Sequence, residues 1–173
     1  MIGKKKAVFF DRDGVLNELI SRDGGFYSPR SVEDFQLVPE AEDVINTIKS
    51  EGYLCIAVSN QPDVSRGYLE RSELDRMSQV LFSTLDLDDV FYCLHDDSDN
   101  CNCRKPAPGL MLQAKEKWNL ELACSLMVGD TEKDLEAAER AGVNFFLLDC
   151  IYNRSVQTEK RIASLRDIID FLE

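Results

Sequence analysis

The sequence predicts an α/β fold built on a largely parallel sheet. Three observations predict it. Short, consecutively apolar runs of the buried-strand type alternate along the chain with segments of helical period, as in a sheet joined by crossover helices. No internal repeat, low-complexity tract or linker breaks that alternation. Residues capable of chemistry (Asp11, Ser59, Cys93 and Asp130) stand at the carboxyl ends of four of the runs, where open α/β sheets bind their ligands.

Each element has its own signal. Ala7 to Phe10 (AVFF) is the first strand. Pro39 opens a helix with Ala41, Val44, Ile45 and Ile48 on one face, and Gly52 stops it. Tyr53 to Ser59 (YLCIAVS) is the second strand. Ser72 is expected to start a helix that stripes Leu74, Met77, Leu81 and Leu85, with Asp75 as the acid of a capping box. Val90 to Leu94 reads as a third strand, and Pro108 to Trp118 as a helix with Leu110, Ala114 and Trp118 at spacing four. Leu126 to Gly129 is a fourth strand, Thr131 to Ala141 a helix stopped at Gly142, and Asn144 to Leu148 a fifth strand. Ser164 to Leu172 closes the chain as a helix with a second Ser-x-x-Asp start. Glu18 to Arg30 reads as a long loop that Gly24-Gly25 would allow to move.

Length and charge narrow the function. A chain of 173 residues without a composition shift is expected to form one domain, residues 1–173, and can bury roughly 70% of its unfolded surface without disulfides. Its 44% hydrophobic and 30% charged residues are ordinary for a soluble protein. No apolar run approaches the roughly 20 residues that span a bilayer. The basic start Met1 to Lys6 is followed only by Ala7 to Phe10, too short for a signal peptide. A membrane, secreted or disordered protein is therefore disfavoured. With no secretion signal, six cysteines point to a reducing compartment and a cytoplasmic location, where thiols serve as core residues or metal ligands. Twenty Lys and Arg against 32 Asp and Glu leave a net charge of −12, which repels a phosphate backbone. No nucleic-acid partner is expected, although a small phosphorylated substrate can sit in a local basic pocket. A monomer is expected.

Four sequence positions carry the chemistry. The first strand runs into Asp11-Arg12-Asp13-Gly14, where one carboxylate can serve as a nucleophile and the other, turned to the opposite side by the pleat, can give and take a proton. Alone, it equally describes an acidic turn. Ser59-Asn60-Gln61 ends the second strand with a hydroxyl and amides able to bind phosphate oxygens. Arg104-Lys105-Pro106 supplies a lysine able to neutralise a phosphoryl group. Gly129-Asp130 is followed four residues later by Asp134, one helical turn on, although acids at a helix start also favour its dipole.

In this order, Asp-x-Asp, Ser, Lys and Gly-Asp-x-x-x-Asp, each at a strand end, resemble the haloacid dehalogenase (HAD) phosphatase superfamily. The match spans Asp11 to Asp134. It implies a Rossmann-like fold and a Mg²⁺-dependent phosphomonoesterase: Asp11 as nucleophile, Asp13 as acid and base, and magnesium on Asp11, the Asp13 carbonyl and Asp130. Ser59 and Lys105 would hold the phosphoryl oxygens, Asp134 would orient Lys105 or metal-bound water, and Asn60, Gln61 and Arg104 would serve the rest of the substrate. No run between the motifs is long enough for a large cap domain.

Cys93-x-His95, five residues, then Cys101-x-Cys103 gathers three thiols and the chain's single histidine. Such a set suits a closed, structural zinc site with no position left for water. Cys55, Cys124 and Cys150 read as core thiols. The metal loop running into Arg-Lys-Pro, with FFDRDGVLNE, SNQPDVSRG, CNCRKPAPG and MVGD, is similar to the family of D,D-heptose 1,7-bisphosphate phosphatases and histidinol-phosphatases. Glu18 to Arg30 is longer, and the loop from His95 to Cys101 shorter, than in enterobacterial heptose phosphatases, and Pro62 replaces a small residue. These departures border the substrate. A heptose bisphosphate is the expected substrate and histidinol phosphate the alternative, with either anomer open. A DNA 3′-phosphatase and a catalytically silent zinc scaffold are the readings from other classes. The first is opposed by the acidic surface, the second by the presence of both Asp11 and Asp13.

Overall fold

Strand β1 (Ala7–Phe10) lies at the centre of the sheet, and its four residues are all buried. Their side chains divide by the strand's twofold period. Val8 and Phe10 pack into one core, and Ala7 and Phe9 into the other. The consecutive apolar run in the sequence is the mark of a strand covered on both faces. The computed structural model describes residues 3–173; Met1 and Ile2, which begin the basic N-terminal run, lie outside the described residues.

Around β1 the chain lays down, in order, β2 (Ile20–Arg22), β3 (Gly25–Tyr27), α1 (Ala41–Ser50), β4 (Leu54–Asn60), α2 (Arg71–Leu85), β5 (Asp89–Cys93), α3 (Gly109–Trp118), β6 (Leu126–Gly129), α4 (Glu132–Ala141), β7 (Asn144–Leu148) and β8 (Arg161–Ile162). Six strands form one parallel sheet in the order β5-β4-β1-β6-β7-β8. On one face α1, α2 and a C-terminal 3₁₀ segment cover Val8, Phe10, Cys55, Ala57 and Val128. On the other, α3 and α4 cover Phe9, Ile56, Val58 and Met127. Strand order reverses at β1, between β4 and β6, and a crevice opens beyond their carboxyl ends.

Several sequence-based expectations need correction. Glu18 to Arg30 is no plain loop: β2 and β3 pair as an antiparallel hairpin, Arg22 facing Gly25. Asp23 and Gly24 turn it with φ of 51° and 75°, the left-handed pair that a two-residue hairpin turn requires. Helix α2 starts at Arg71, not Ser72. Its cap Glu70 makes no side-chain bond, and Asp75, the acid expected in a Ser72 capping box, pairs instead with the Arg71 guanidinium at 2.9 Å. The segment from Ser164 keeps its Ser164–Asp167 capping box but winds as a 3₁₀ helix over Leu165–Phe171. The two-residue β8 at the sheet edge was not anticipated. Of the presumed core thiols only Cys55 is buried: Cys124 is exposed and Cys150 half-buried, since they stand in turns before β6 and after β7.

Phe9→Ala should expose how far stability depends on the central strand. The ring is wholly buried, so truncation should cost about 3–5 kcal/mol. In denaturant the midpoint should fall while the slope is retained. A loss below about 1 kcal/mol would contradict this placement of the core.

Candidate active site

The crevice is a cavity of about 510 Å³ bordered by Asp11, Asp13, Ser59, Lys105, Asp130 and Asp134, with Leu19, Phe26 and Ser28 from the hairpin region along one wall. The sequence-predicted catalytic residues thus come together from the ends of β1, β4 and β6, the loop between β5 and α3, and the start of α4. Asn60 and Arg104 also border the cavity; Gln61 does not.

Lys105 stands at its floor, almost wholly buried. Its ammonium lies 2.8 Å from Asp11 Oδ1 and 2.5 Å from Asp134 Oδ1, and donates to the Val58 carbonyl at 2.9 Å. Three acceptors therefore meet its three N–H bonds. Burial would push the ammonium down, but Asp11 and Asp134 outweigh it and hold its pKa up. Two devices fix the arrangement. Asn60 clamps the Lys105 backbone from both sides, its amide donating to the carbonyl and accepting from the N–H, each at 3.0 Å. Asp134 is locked by a capping box in which its Oδ2 accepts from the Thr131 N–H and hydroxyl at 3.1 and 2.6 Å. Gly129 makes room for it: a Cβ there would meet Asp134 Cβ at 2.4 Å.

Asp13 faces away from Lys105. Its Oδ1 accepts from Arg12 Nε and Nη2 at 2.9 and 2.7 Å, and its Oδ2 from Gln61 Nε2 at 2.7 Å. Arg12 is fully buried, its guanidinium carbon 5.3 Å from the Phe35 ring centre and 5.9 Å from that of Tyr92. Gln61, itself buried, also donates to Ser59 Oγ at 3.0 Å. It therefore ties Asp13 to Ser59.

Asp11, Asp130 and Asp134 can each present one oxygen within 4.8 Å of the others. Asp130 Oδ1 is buried with no hydrogen-bond partner. An orphaned carboxylate oxygen beside two further carboxylates fits a hard divalent cation such as Mg²⁺. The carboxylate of Asp13 does not join this group, which leaves only its backbone carbonyl for a metal. Without a cation, burial and then the charge of Asp134 raise the Asp11 carboxyl to about 7, against the lowering effect of Lys105. Asp130 is likewise pushed well above the usual range, first by burial and then by Asp11.

The second cluster also closes. The Sγ atoms of Cys93, Cys101 and Cys103 lie 3.0–3.6 Å apart, and His95 Nδ1 stands 3.3 Å from Cys103 and 3.5 Å from Cys93. Tetrahedral coordination with bonds of about 2.3 Å needs ligand edges of roughly 3.8 Å, so the four donors can hold a metal ion and fit zinc. Arg104 ties this loop to the cavity: it donates to Asp97 at 2.7 Å and to the His95 carbonyl at 3.3 Å.

Glu18 to Arg30 borders the cavity as expected, while Lys133, Tyr152 and Asn153 were not singled out by the sequence. Phe26 reaches the cavity because the hairpin carries it there, and Asp23-Gly24 was the available signal. Lys133, on the first turn of α4, adds a cation at the rim. Tyr152 borders the cavity and donates to Asp130 Oδ2, while Asn153 donates to the Asp130 carbonyl at 2.9 Å. Both follow β7, another strand end, but neither belongs to a motif.

Comparison with known proteins agrees with this geometry. The model of the haloacid dehalogenase-like hydrolase family matches residues 26–142. The D-glycero-beta-D-manno-heptose-1,7-bisphosphate 7-phosphatase of Helicobacter pylori is 32% identical over 180 residues, covering 100% of each chain. The D-glycero-alpha-D-manno-heptose-1,7-bisphosphate 7-phosphatase of Burkholderia mallei is 34% identical over 184 residues, covering 98% of this chain and 94% of that one. Among solved structures, the D,D-heptose 1,7-bisphosphate phosphatase from B. bronchiseptica complexed with magnesium and phosphate superposes with a TM-score of 0.84 at 25% identity, covering 96% and 97%.

The crowded carboxylates have a pH signature. Asp11 binds its proton more tightly folded (about 7) than at its usual value of 3.8, so between these values the native state holds the extra proton. Stability of the metal-free protein must then fall as pH rises through that window and level off above it. Asp11→Asn lacks the titration. The stability of this variant relative to wild type, from denaturant midpoints, should therefore climb between about pH 5 and 7 and be flat beyond. A difference independent of pH would show that Asp11 is not crowded.

Proposed function

The chain belongs to the haloacid dehalogenase-like hydrolase family, among the heptose bisphosphate phosphatases, and is a phosphoric monoester hydrolase; from this we propose that it removes the C7 phosphate of D-glycero-D-manno-heptose 1,7-bisphosphate in nucleotide-heptose biosynthesis. The observation that carries the reading is Asp11 held against Lys105 at the floor of a cavity large enough for a sugar phosphate.

In this proposal Asp11 attacks phosphorus and forms an aspartyl-phosphate, dividing one difficult displacement into two. Asp13, at the cavity edge, protonates the leaving sugar oxygen and then takes a proton from the water that releases phosphate. Lys105 and the Ser59 hydroxyl stabilise the phosphoryl oxygens as charge builds on them. Asp134 and Asn60 position Lys105 from its two ends, and Gln61 sets the spacing of Asp13 and Ser59. Arg104 holds the distal end of the substrate from the rim. Asp11, Asp130 and the Asp13 carbonyl would hold Mg²⁺, which would offset the repulsion between an anionic nucleophile and an anionic ester. Zinc on Cys93, His95, Cys101 and Cys103 braces the loop that carries Arg104 and Lys105. No helix among the described residues is long and apolar enough to cross a membrane, and we place the activity in the cytoplasm, in a monomer.

Phosphate release from both heptose bisphosphate anomers, histidinol phosphate and 3′-phosphorylated DNA tests the reading. One heptose anomer should give the highest kcat/KM, and Asp11→Asn should lower turnover by on the order of 10⁴ or more while ligand still binds. Preference for histidinol phosphate would overturn the substrate, and an Asp11→Asn rate within about tenfold of wild type would end the covalent mechanism.

Elemental analysis should find one equivalent of zinc per chain in protein purified without chelator. Stripping it should disorder residues 93–104 first, since a closed site binds its metal as part of folding. Protein without zinc but with this loop ordered would refute the assignment.

A further inference from the structure

The turn after β7 touches the cavity through a residue that no motif explains. Asn153, buried at 3% exposure, donates to the carbonyls of Asp130 and Leu148 at 2.9 and 2.8 Å, and its Oδ1 accepts from the Cys150 N–H at 3.0 Å. The turn is thereby fastened beneath the Asp130 backbone. Tyr152, one residue earlier, then reaches the Asp130 side chain and donates its hydroxyl to Oδ2. This leaves Oδ1 as the one oxygen of Asp130 without a partner.

Two contacts hold the phenol there. Its ring stacks on Phe26 of the hairpin, with centroids 4.9 Å apart and planes tilted by 47°. On the other side Gly14, at φ 87°, presents no side chain: a Cβ would lie 2.2 Å from Asp130 Oδ2 and 2.7 Å from the Tyr152 hydroxyl. The backbone just past Asp13 thus closes over the Asp130–Tyr152 pair. Any side chain at residue 14 would break it.

We propose that Tyr152 is a positioning residue for the divalent cation: by occupying Asp130 Oδ2 it fixes the carboxylate plane and presents Oδ1 alone to the metal. The inference rests on the metal reading given under Proposed function and extends it to a residue outside the motifs. Outer partners that orient a metal-binding group commonly change affinity 10- to 100-fold when removed. Tyr152→Phe deletes only the hydroxyl and keeps the stack on Phe26.

The test is a calorimetric titration of Mg²⁺ into protein dialysed free of magnesium, for wild type and Tyr152→Phe, with melting temperatures taken before Mg²⁺ is added. Wild type should bind, and Tyr152→Phe should bind about tenfold or more weakly with its metal-free melting temperature nearly unchanged. A second readout follows the phenol itself. Of the five tyrosines in the chain, Tyr152 is the one hydrogen-bonded to Asp130, so Mg²⁺ should give wild type a tyrosine ultraviolet difference spectrum that Tyr152→Phe lacks. Affinity within twofold of wild type, or a difference spectrum that persists in the variant, would overturn the proposal. So would a large fall in metal-free melting temperature, which would make Tyr152 a structural residue only. If wild type itself binds no Mg²⁺, the metal reading falls and this inference with it; wild-type binding with an unaltered variant overturns the inference alone.

Discussion

One buried ammonium makes this site possible. Asp11, Asp130 and Asp134 converge within 4.8 Å in a setting largely shielded from water, and Lys105 is the cation that two of them touch. Breaking a buried ion pair of this kind costs about 3–5 kcal/mol, because the charge left behind has no solvent to turn to. Much of the surrounding structure serves to keep that ammonium in place. The Val58 carbonyl takes its third proton, Asn60 holds its backbone, and the Thr131 capping box holds Asp134 under it. Gly129 lets α4 start close enough to the sheet for this to happen.

A second buried cation, Arg12, serves the other aspartate of the motif. Arg12 is sandwiched near Phe35 and Tyr92 and paired with Asp13, so the two aspartates of the Asp-x-Asp motif have different cationic partners, Lys105 for Asp11 and Arg12 for Asp13. The proposed division of labour between them, nucleophile and acid-base, rests on that difference in partners. Above them the loops are joined in part by exposed pairs: Arg30 to Asp63 and Arg66 to Asp96. Exposed pairs contribute about 0–1 kcal/mol each and weaken in salt. The convergence of Cys93, His95, Cys101 and Cys103 is therefore better placed to order its loop than these contacts are, and the hairpin meets the turn after β7 through Phe26 on Tyr152.

Legibility in the sequence tracked burial. Strands β1, β4, β6 and β7 were readable because both faces are covered and the apolar run is continuous. The clustered cysteines and the acids at strand ends were readable because spacing and order constrain them. The hairpin was not read, since its three-residue strands are largely exposed and Gly24-Gly25 suggests looseness as readily as a turn. Ser72 misled because a cap signal competes with the i,i+4 pair of Arg71 and Asp75. Arg12 between two acids looks like a solvated turn, and only the fold reveals a 0% exposed side chain. Tyr152 and Asn153 act through proximity across the sheet, which no local pattern records.

The direct test of this electrostatic account is proton release on cation binding. Titrating Mg²⁺ into magnesium-free protein, in buffers of different ionisation enthalpy, counts the protons expelled as the metal takes the carboxylates. With Asp11 raised to about 7 and Asp130 raised as well, at least most of a proton should leave at about pH 6, and fewer at about pH 8.5. Binding that releases no proton at about pH 6 would contradict it, because the carboxylates would then already have been ionised side by side.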